Sequence, residues 1–398
     1  MLKNIFKNTF KCPYCFGEHK ISDCTLVCLK GESCKKKFCN EHGEVHKDNY
    51  SYCMKRCKSS AVRLYCPEKG QLDKFENFVK KKQIDKDVSL SLDIPSEFID
   101  GTETITVAIL GGVSSGKSSF ITVLVNEMNK KLRRAFGCNV RTLNTTTQEI
   151  YEKIYYSWVY RKNHINEKTL ENDNVPPLLY NLEFPDNLMK KRVNLAIYDV
   201  AGEDIRGSGK MIEDRGFIAN ADMIVVLLDP TQMKKVRRGV KDPSTLPAEN
   251  ESENTVFDRL VETYRSVKKV RGRIPVPVAV CVSKLDVLKE NFYENTDSEL
   301  FGESRHILNK AYTHSDFVNT QNGIKTILGK HADVDPVSSL RTSFKKYALF
   351  GFSALGTTPE RADKISEADI NSYRVLDPIV WSLYKKGYIK KMDERDKK

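Results

Sequence analysis

The sequence predicts an α/β fold in which a mostly parallel sheet, with helices on both faces, follows a small cysteine-rich module. Three observations predict it. Six apolar, strand-like runs recur after residue 100, and the polar and helical chain between them is long enough to cover a central sheet. A glycine-rich segment joins the first of these runs to a helical stretch. Nine of the eleven cysteines precede residue 67, which separates the module from the remainder.

The strand-like runs have different places in the predicted sheet. Runs 178–184 and 193–199 are joined by a short basic segment that contains proline, a pattern typical of a hairpin, so one strand is expected to be antiparallel. The other four runs are apolar enough for buried strands. They are residues 104–110, 223–228, 276–282 and 347–352. Helices are expected at 120–128 and, as the last element of the fold, at about 371–386.

The segment after the first strand has the spacing GxxxxGK[ST] of a nucleotide-phosphate loop. A helix that begins near Lys117 would offer free backbone amides to phosphate. The two glycines allow those amides to curl around an anion, Lys117 carries a flexible charge, and the Ser118 hydroxyl suits magnesium. The alternative is a Gly/Ser-rich turn that contains a lysine by chance. The expected binding residues are Gly111, Gly112, Val113, Ser114, Ser115, Gly116, Lys117, Ser118 and Ser119.

Three further short segments each follow a strand-like run. They are Asp199-Val200-Ala201-Gly202, Ser283-Lys284-Leu285-Asp286 and Ser353-Ala354-Leu355. A carboxylate such as Asp199 can hold magnesium through water, and the Gly202 amide can meet a terminal phosphate. Asp286 can accept hydrogen bonds from the N1 and N2 donors of guanine, whereas adenine would leave this carboxylate unpaired. Each segment alone is weak evidence, but the three occur in a fixed order and each follows a strand-like run.

Together these motifs resemble those of the Ras-like (TRAFAC-type) P-loop GTPase superfamily, over roughly residues 101–398. More narrowly, a cysteine-rich head with Cys12-Pro13-Tyr14-Cys15, combined with Glu203 directly after Gly202, is similar to bacterial double-GTPase families of conflict or defence systems. The resemblance implies GTP or GDP as the ligand and Mg²⁺ as a cofactor. It also implies a molecular switch that acts on a protein partner, a second GTPase or a second copy of itself.

The resemblance further implies which residues serve magnesium and hydrolysis. Mg²⁺ is expected at Ser118, Thr146 and Asp199, where Thr146 is the switch I threonine favoured within the polar run 144–147. An ordinary Thr/Asn turn is the alternative for that run. Switch II would be residues 202–216. The residues expected to take part in GTP hydrolysis are Lys117, Thr146, Gly202 and Glu203.

Two departures from the family pattern bear on activity. Ser283 stands where Asn or Thr is usual, which is expected to weaken a tie between this loop and the phosphate loop. Glu203 stands where Ras-like enzymes often carry the glutamine that orients the attacking water. A carboxylate there repels the γ-phosphate unless its pKa is raised or a cation intervenes. We therefore expect slow hydrolysis that a partner accelerates, and the alternative is a nucleotide-binding scaffold with negligible hydrolysis.

The cysteine-rich head is predicted to bind zinc. Such a short, charged segment buries too little apolar surface to fold alone, and thiolate sites supply the missing stability. Disulfides are the competing explanation, but no secretory signal is apparent and nucleotide-dependent domains work where thiols stay reduced. The candidate ligands outnumber those that one zinc ion can coordinate, so two structural Zn²⁺ ions are expected. The ligands are Cys12, Cys15, Cys28, Cys34, Cys39, Cys53, Cys57 and Cys66.

The spacing leaves the pairing of these ligands open. Cys12 and Cys15 are expected to share a site, with Cys28, Cys34 and Cys66 also ligands. The histidines His19, His42 and His46 are additional candidates. Docking of a protein partner is the favoured role of the head, and reading of DNA or RNA is the second.

The chain is expected to divide into a zinc module at 1–70, a charged and partly helical linker at 71–100, and a P-loop GTPase domain at 101–398. The strand-like runs are spaced more widely than in a minimal domain, so insertions are expected near 151–177, 231–272 and 290–340. The first contains an aromatic group that is expected to be local core rather than a ligand site. Its members are Tyr155, Tyr156, Trp158 and Tyr160.

A formal net charge of +12 and a pI near 9.0 permit binding to nucleic acid, but the basic residues occur in short runs along the whole chain. An ATP-dependent nucleic-acid-binding protein is therefore an alternative that Asp286 and the hairpin disfavour. No run approaches the roughly 20 apolar residues that span a bilayer, and a cytoplasmic location is expected.

Overall fold

Two small antiparallel strand pairs precede the main sheet. The computed structural model describes residues 9–28, 62–84, 92–112, 114–162, 174–185, 191–200, 211–249, 253–294, 296–333, 335–357 and 370–392. Strand β1 (Phe10–Lys11) pairs with β2 (Glu18–His19), and β3 (Thr25–Cys28) pairs with β4 (Val62–Tyr65). The turn between β1 and β2 contains the first two cysteines of the head.

A seven-stranded sheet forms the centre of the fold. Its strands are β5 (Glu103–Gly111), β6 (Asn139–Thr142), β7 (Leu178–Glu183), β8 (Arg192–Asp199), β9 (Met223–Leu228), β10 (Val278–Val282) and β11 (Tyr347–Gly351). They lie in the order β11-β10-β9-β5-β8-β7-β6. Strands β11, β10, β9, β5 and β8 pair in parallel, whereas β7 is antiparallel to both of its neighbours. The predicted hairpin and the mostly parallel α/β fold are confirmed.

The sheet differs from the prediction at two places. Strand β10 begins at Val278 rather than at residue 276, because Pro277 has no amide hydrogen to donate to a neighbouring strand. Strand β6 was not predicted; it adds a seventh strand at the edge, next to β7. Its four side chains alternate between exposed and half-buried, so the apolar run that marks the other strands is missing.

Helices cover both faces of the sheet, as predicted. They are α1 (Lys69–Lys81), α2 (Lys117–Glu127), α3 (Arg133–Phe136), α4 (Thr145–Ile150), α5 (Met211–Asn220), α6 (Lys234–Gly239), α7 (Glu253–Lys268), α8 (Leu285–Phe292), α9 (Arg305–Leu308), α10 (His314–His331), α11 (Pro336–Ser343) and α12 (Asp377–Lys385). A π-helix, Met128–Leu132, joins α2 to α3, and another, Tyr151–Arg161, continues α4.

Successive side chains of the buried strands enter two separate cores, because side chains alternate between the faces of a sheet. Val107 and Ile109 of β5 pack with α2 and α12 in one core. Ala108 and Leu110 pack with α7 and α10 in the other. More than half of the described residues in 231–272 and 290–340 are helical, in α6, α7, α9, α10 and parts of α8 and α11.

The last helix begins at Asp377, so the prediction of a start near residue 371 was wrong. Tyr373 is extended and pairs with Ser353 through two backbone hydrogen bonds. Arg374 has a φ of +59°, which does not continue a helix. Pro378 lies in the first helical turn, where its missing amide hydrogen costs nothing. Within the described residues no helix has the length and apolar character needed to cross a bilayer.

Candidate functional site

The glycine-rich loop connects β5 to α2 at the carboxyl end of the sheet. Strand β5 ends at Gly111, and Gly116, with a left-handed φ of +83°, directly precedes the first residue of α2. A Cβ atom at Gly111 would collide with the Ser115 Oγ. The loop therefore needs glycine at both positions, for conformation at the second and for space at the first. Ser114 has a φ of +62°, and Val113 lies outside the described residues.

Lys117 and Asp199 form a buried ion pair beside this loop. Their Nζ and Oδ1 atoms are 3.0 Å apart, and Lys117 also donates a hydrogen bond to the Val200 carbonyl. The pair forms because β8 runs parallel to β5, with Asp199 opposite Ile109. The lysine of the phosphate loop and the predicted magnesium carboxylate are thus brought together, 82 positions apart in the chain.

Tyr155 adds a contact to this pair that sequence reasoning missed. Its hydroxyl donates a hydrogen bond of 3.1 Å to the second oxygen of Asp199, and its ring is buried. Burial, with the Asp199 carboxylate as the second cause, raises the pKa of the Tyr155 phenol, so it remains a donor at neutral pH. The expectation that this tyrosine is only local core is therefore incomplete.

Helix α2 begins at Lys117, so the positive end of its dipole and its free backbone amides lie there. Ser118 is the second residue of this helix. Ser118 is half-buried, and Ser119 is buried. Thr146, in the first turn of α4, is also buried. The neighbouring Thr147 accepts a hydrogen bond from the Leu179 amide, so its hydroxyl holds α4 to the sheet.

Asp286 and Ser353 lie together at the carboxyl ends of β10 and β11. Ser353 Oγ donates to Asp286 Oδ1 and accepts from the Gly356 amide at 2.8 Å. Ala354 is buried and Leu355 is half-buried, and the Leu355 carbonyl accepts a hydrogen bond from the Asn371 amide. The loop 353–355 is thus held by Asp286 on one side and by segment 371–373 on the other.

Lys284 ties this region to the phosphate loop. Its Nζ donates to the Ser114 carbonyl at 2.9 Å and contacts Asp229 Oδ2 at 2.7 Å. Asp229 follows β9 and is held by the amide and hydroxyl of Thr231. Ser283 instead bonds the Leu228 carbonyl through its amide and its hydroxyl. The link to the phosphate loop thus comes from Lys284, despite the serine at position 283.

The Asp286 carboxyl should limit the stability of the fold at neutral pH. Burial raises its pKa from the ordinary 3.8, and the Ser353 hydrogen bond only partly opposes this. Because the unfolded chain then ionises more readily, the contribution of Asp286 to stability falls as pH rises above 3.8. We expect Asp286→Asn to raise the free energy of unfolding by about 0.5–2 kcal/mol at pH 7. In urea unfolding the gain should shrink toward pH 4; a gain independent of pH would contradict this origin.

Arg374 anchors the segment that pairs with Ser353. The guanidinium contacts Asp316 at 2.7 Å and Asp377 at 3.0 Å, and all three side chains are buried. It also donates to the Glu299 carbonyl and the Thr320 hydroxyl. Asp316 and Asp377 approach His306 closely enough to resemble a metal site, but the arginine already supplies their counter-charge.

Four side chains of the head converge on one point. Cys12, Cys15, His19 and Cys66 each place a ligand atom within 4.8 Å of the others. Cys15 Sγ is 3.0 Å from His19 Nε2 and accepts a hydrogen bond from the Gly17 amide. Hydrogen bonds from Cys12 and Cys66 are the main cause that lowers the pKa of Cys15 to about 2. Three thiols and one imidazole form a donor set that binds Zn²⁺ tetrahedrally, so these residues fit zinc.

The structure brings together three of the predicted zinc ligands, and His19, named only as an additional candidate, is the fourth member. Its spacing, four residues after Cys15, is the signal that could have ranked it higher. Cys24 lies outside the cluster and donates to the Lys20 carbonyl. Cys28 is described in its backbone only, and several of the residues predicted for zinc or nucleotide are not among the described residues. They are Cys34, Cys39, Cys53, Cys57, Gly202 and Glu203.

Comparisons with known proteins identify a family for this chain. The family model described as Double-GTPase 2 matches residues 105–330, more than half of the chain. The "Putative ESX-1 scaffolding and assembly protein SaeC" of Mycolicibacterium smegmatis is 24% identical over 321 residues, which are 72% of this chain and 76% of that protein. A solved structure of Aquifex aeolicus Era bound to GDP·AlF4− shows 14% identity and a TM-score of 0.29, with 73% of this chain and 59% of the Era chain covered. On the extent of the family match, the chain belongs to the Double-GTPase 2 family.

Proposed function

We propose that the protein is a GTP-dependent molecular switch that hydrolyses GTP slowly on its own. The observation that carries the proposal is the connection from Asp286 and Lys284, at the end of β10, to the Ser114 carbonyl of the phosphate loop. The residues proposed to contact the guanine base are thus connected to the loop proposed to bind the phosphates. Together they would hold a guanine nucleotide at both ends. Membership of a GTPase family supports GTP as the ligand.

The phosphates would lie on the amides of residues 111–119, with Lys117 released from Asp199 to meet them. Ser118, Asp199 and Thr146 would hold Mg²⁺, which supplies charge neutralisation between the β- and γ-phosphates. Ser353, Ala354 and Leu355 would close the base pocket beside Asp286. The ion pair of Asp199 with Lys117 supports the assignment of Asp199, because it places the carboxylate beside the proposed phosphate site.

Glu203 is proposed to position the attacking water, as the residue directly after the DxxG glycine. In single-turnover assays we expect Glu203→Ala to slow GTP hydrolysis by about a hundredfold. Glu203→Gln should keep or raise the rate, because it removes repulsion from the γ-phosphate but retains a hydrogen-bonding group. GTP affinity, measured in parallel, should be nearly unchanged in both variants. Equal rates in wild type and both variants would exclude Glu203 from the mechanism.

A scaffold that binds nucleotide without turnover is the second candidate function. The name of the Mycolicibacterium smegmatis relative, a scaffolding and assembly protein, favours it. A protein partner, reached through the head or the switches, fits either function. We place the activity in the cytoplasm, because zinc-binding thiolates persist where cysteines stay reduced, and in a bacterial conflict or defence system, on the family resemblance. Multiple-turnover GTP hydrolysis separates the two functions, since a scaffold would release no phosphate.

A further inference from the structure

We propose that Cys12, Cys15, His19 and Cys66 bind one Zn²⁺ ion whose occupancy is coupled to GTP binding. The turn between the first two ligands, residues 12–16, is named here the knuckle. The knuckle contacts the parts of the fold that lead into two of the three predicted magnesium ligands, Asp199 and Thr146. The inference deepens the proposed function and rests on it, because it assigns a regulatory ligand to the same nucleotide site.

The first contact is made by Phe16, which packs against a stacked pair of aromatic rings. Tyr198 and Phe217 stack with 3.7 Å between ring centroids. Phe16 meets Phe217 edge-on at 5.0 Å and Tyr198 at 6.4 Å. Tyr198 immediately precedes Asp199, and Phe217 belongs to α5, the next described helix after β8. The knuckle therefore supports the strand end that carries the predicted magnesium carboxylate.

The second contact is made by Tyr14 and lies at the start of the helix that carries Thr146, a second predicted magnesium ligand. The Asn144 side-chain amide donates to the Tyr14 hydroxyl at 3.0 Å, and this hydroxyl donates to the Asp93 carbonyl at 3.2 Å. The Asn144 carboxamide oxygen caps α4 by accepting from the Thr147 amide at 2.8 Å. Thr146 lies in the turn that this cap holds. Tyr14 thus fixes the start of the helix that carries Thr146.

A bound ion would hold the knuckle in the conformation that makes both contacts. Cys12 and Cys15 flank Tyr14 and precede Phe16, so two bonds to one ion fix the intervening residues. Backbone hydrogen bonds from Cys12 to Gly17 and from Phe16 to Cys12 close the turn. Phe16 has a φ of +58°, a conformation that bulky residues adopt only when their surroundings hold them there. Cys66, beyond β4, ties the knuckle to the second strand pair.

If zinc stabilises these contacts and GTP·Mg²⁺ requires them, each ligand must raise the affinity for the other by the same factor. Coupling of this kind is usually at least about fivefold. We expect the zinc-loaded chain to bind GTP·Mg²⁺ about fivefold or more tightly than the zinc-free chain. GTP·Mg²⁺ should increase the affinity for Zn²⁺ by that same factor.

The test uses the full chain, with zinc content measured by mass spectrometry and GTP·Mg²⁺ affinity by fluorescent nucleotide titration. A chelator with little affinity for magnesium removes the zinc, and added Zn²⁺ should restore both zinc content and affinity. His19→Ala should hold one zinc fewer per chain than wild type and have the weaker affinity, whereas His19→Cys should match the wild type in both. Tyr14→Phe is the decisive variant, because it keeps all four ligands but loses the hydroxyl bonded to Asn144. It should hold as much zinc as the wild type and show weaker coupling, because only the Phe16 contact remains.

Tyr388→Phe is the matched control, since it removes a phenol hydroxyl that bonds Glu103, away from the knuckle. It should keep both zinc and coupling. Equal zinc content in wild type and His19→Ala would overturn the site. Bound zinc with equal GTP affinity in loaded and stripped chains would overturn the coupling, and full coupling in Tyr14→Phe would overturn its assigned route through the Tyr14 hydroxyl. Either result would leave the proposed function standing. Absence of GTP binding by the zinc-loaded wild type would defeat the proposed function itself and the coupling with it.

Discussion

Asp286→Asn should lower the affinity for GTP by a factor on the order of 100 and raise the affinity for xanthosine triphosphate. The carboxylate would accept hydrogen bonds from the N1 and N2 donors of guanine, and a lost or unpaired buried hydrogen bond costs about 1–3 kcal/mol. Xanthine carries an oxygen in place of the N2 donor, which the asparagine amide can satisfy. Competition between the two nucleotides for a fluorescent analogue measures the change in preference.

Glu290→Gln is a matched control for this change of base preference. It removes a second carboxylate from the same helix, α8, at an exposed position that lies close enough to Asp286 to influence its charge. We expect it to retain the preference for GTP. An Asp286→Asn protein that still prefers GTP as strongly as the wild type would show that the base lies elsewhere.

Arg374→Met should lower the free energy of unfolding by about 3–5 kcal/mol, because it leaves two buried carboxylates without their counter-charge. Asp316 and Asp377 are both nearly inaccessible to solvent, and the guanidinium lies between them. Arg374→Lys should fall between wild type and Arg374→Met, since it keeps the charge but not the planar fork. Urea unfolding at pH 7 measures all three.

Arg305→Met is the control for this loss of stability, because Arg305 pairs with Glu299 at the surface and exposed pairs contribute only about 0–1 kcal/mol. A loss in Arg374→Met no larger than in this control would refute the assigned role. In a folded Arg374→Lys protein, weaker discrimination between GTP and ATP is also expected, because Tyr373, the adjacent residue, holds the backbone of Ser353.

The sequence predicted the parts of the fold that apolar runs mark directly. Strands β5, β7, β8, β9 and β11 are buried along most of their length, and each agrees with its predicted run to within one residue at either end. Strand β6 escaped prediction because an edge strand with half-exposed side chains carries no such run. The start of α12 was misplaced because backbone pairing with Ser353, a tertiary contact, keeps residues 371–373 extended.

The sequence predicted those site residues that belong to a recognisable motif. It predicted less well the residues whose role depends on a contact with a distant part of the chain. Asp229 was missed, although its place directly after β9 was a usable signal, since loops at the carboxyl ends of parallel strands form the sites of such folds. Nothing in the sequence indicated that Tyr155 contacts Asp199. Tyr155 lies in a π-helix, and the geometry of that helix decides which of its tyrosines faces Asp199. The contact of Phe16 with Phe217 joins residues 201 positions apart, which no local pattern encodes.

That long separation has a consequence for biosynthesis. Cys66, the last of the four converging ligands, is translated roughly 150 residues before Phe217, against which the knuckle packs. At about 5–20 residues per second, roughly 8–30 s pass between the synthesis of Cys66 and that of Phe217. During this interval the cysteine thiols of the nascent chain are open to oxidation. Early binding of a metal ion would protect these thiols until the rest of the chain has been synthesised.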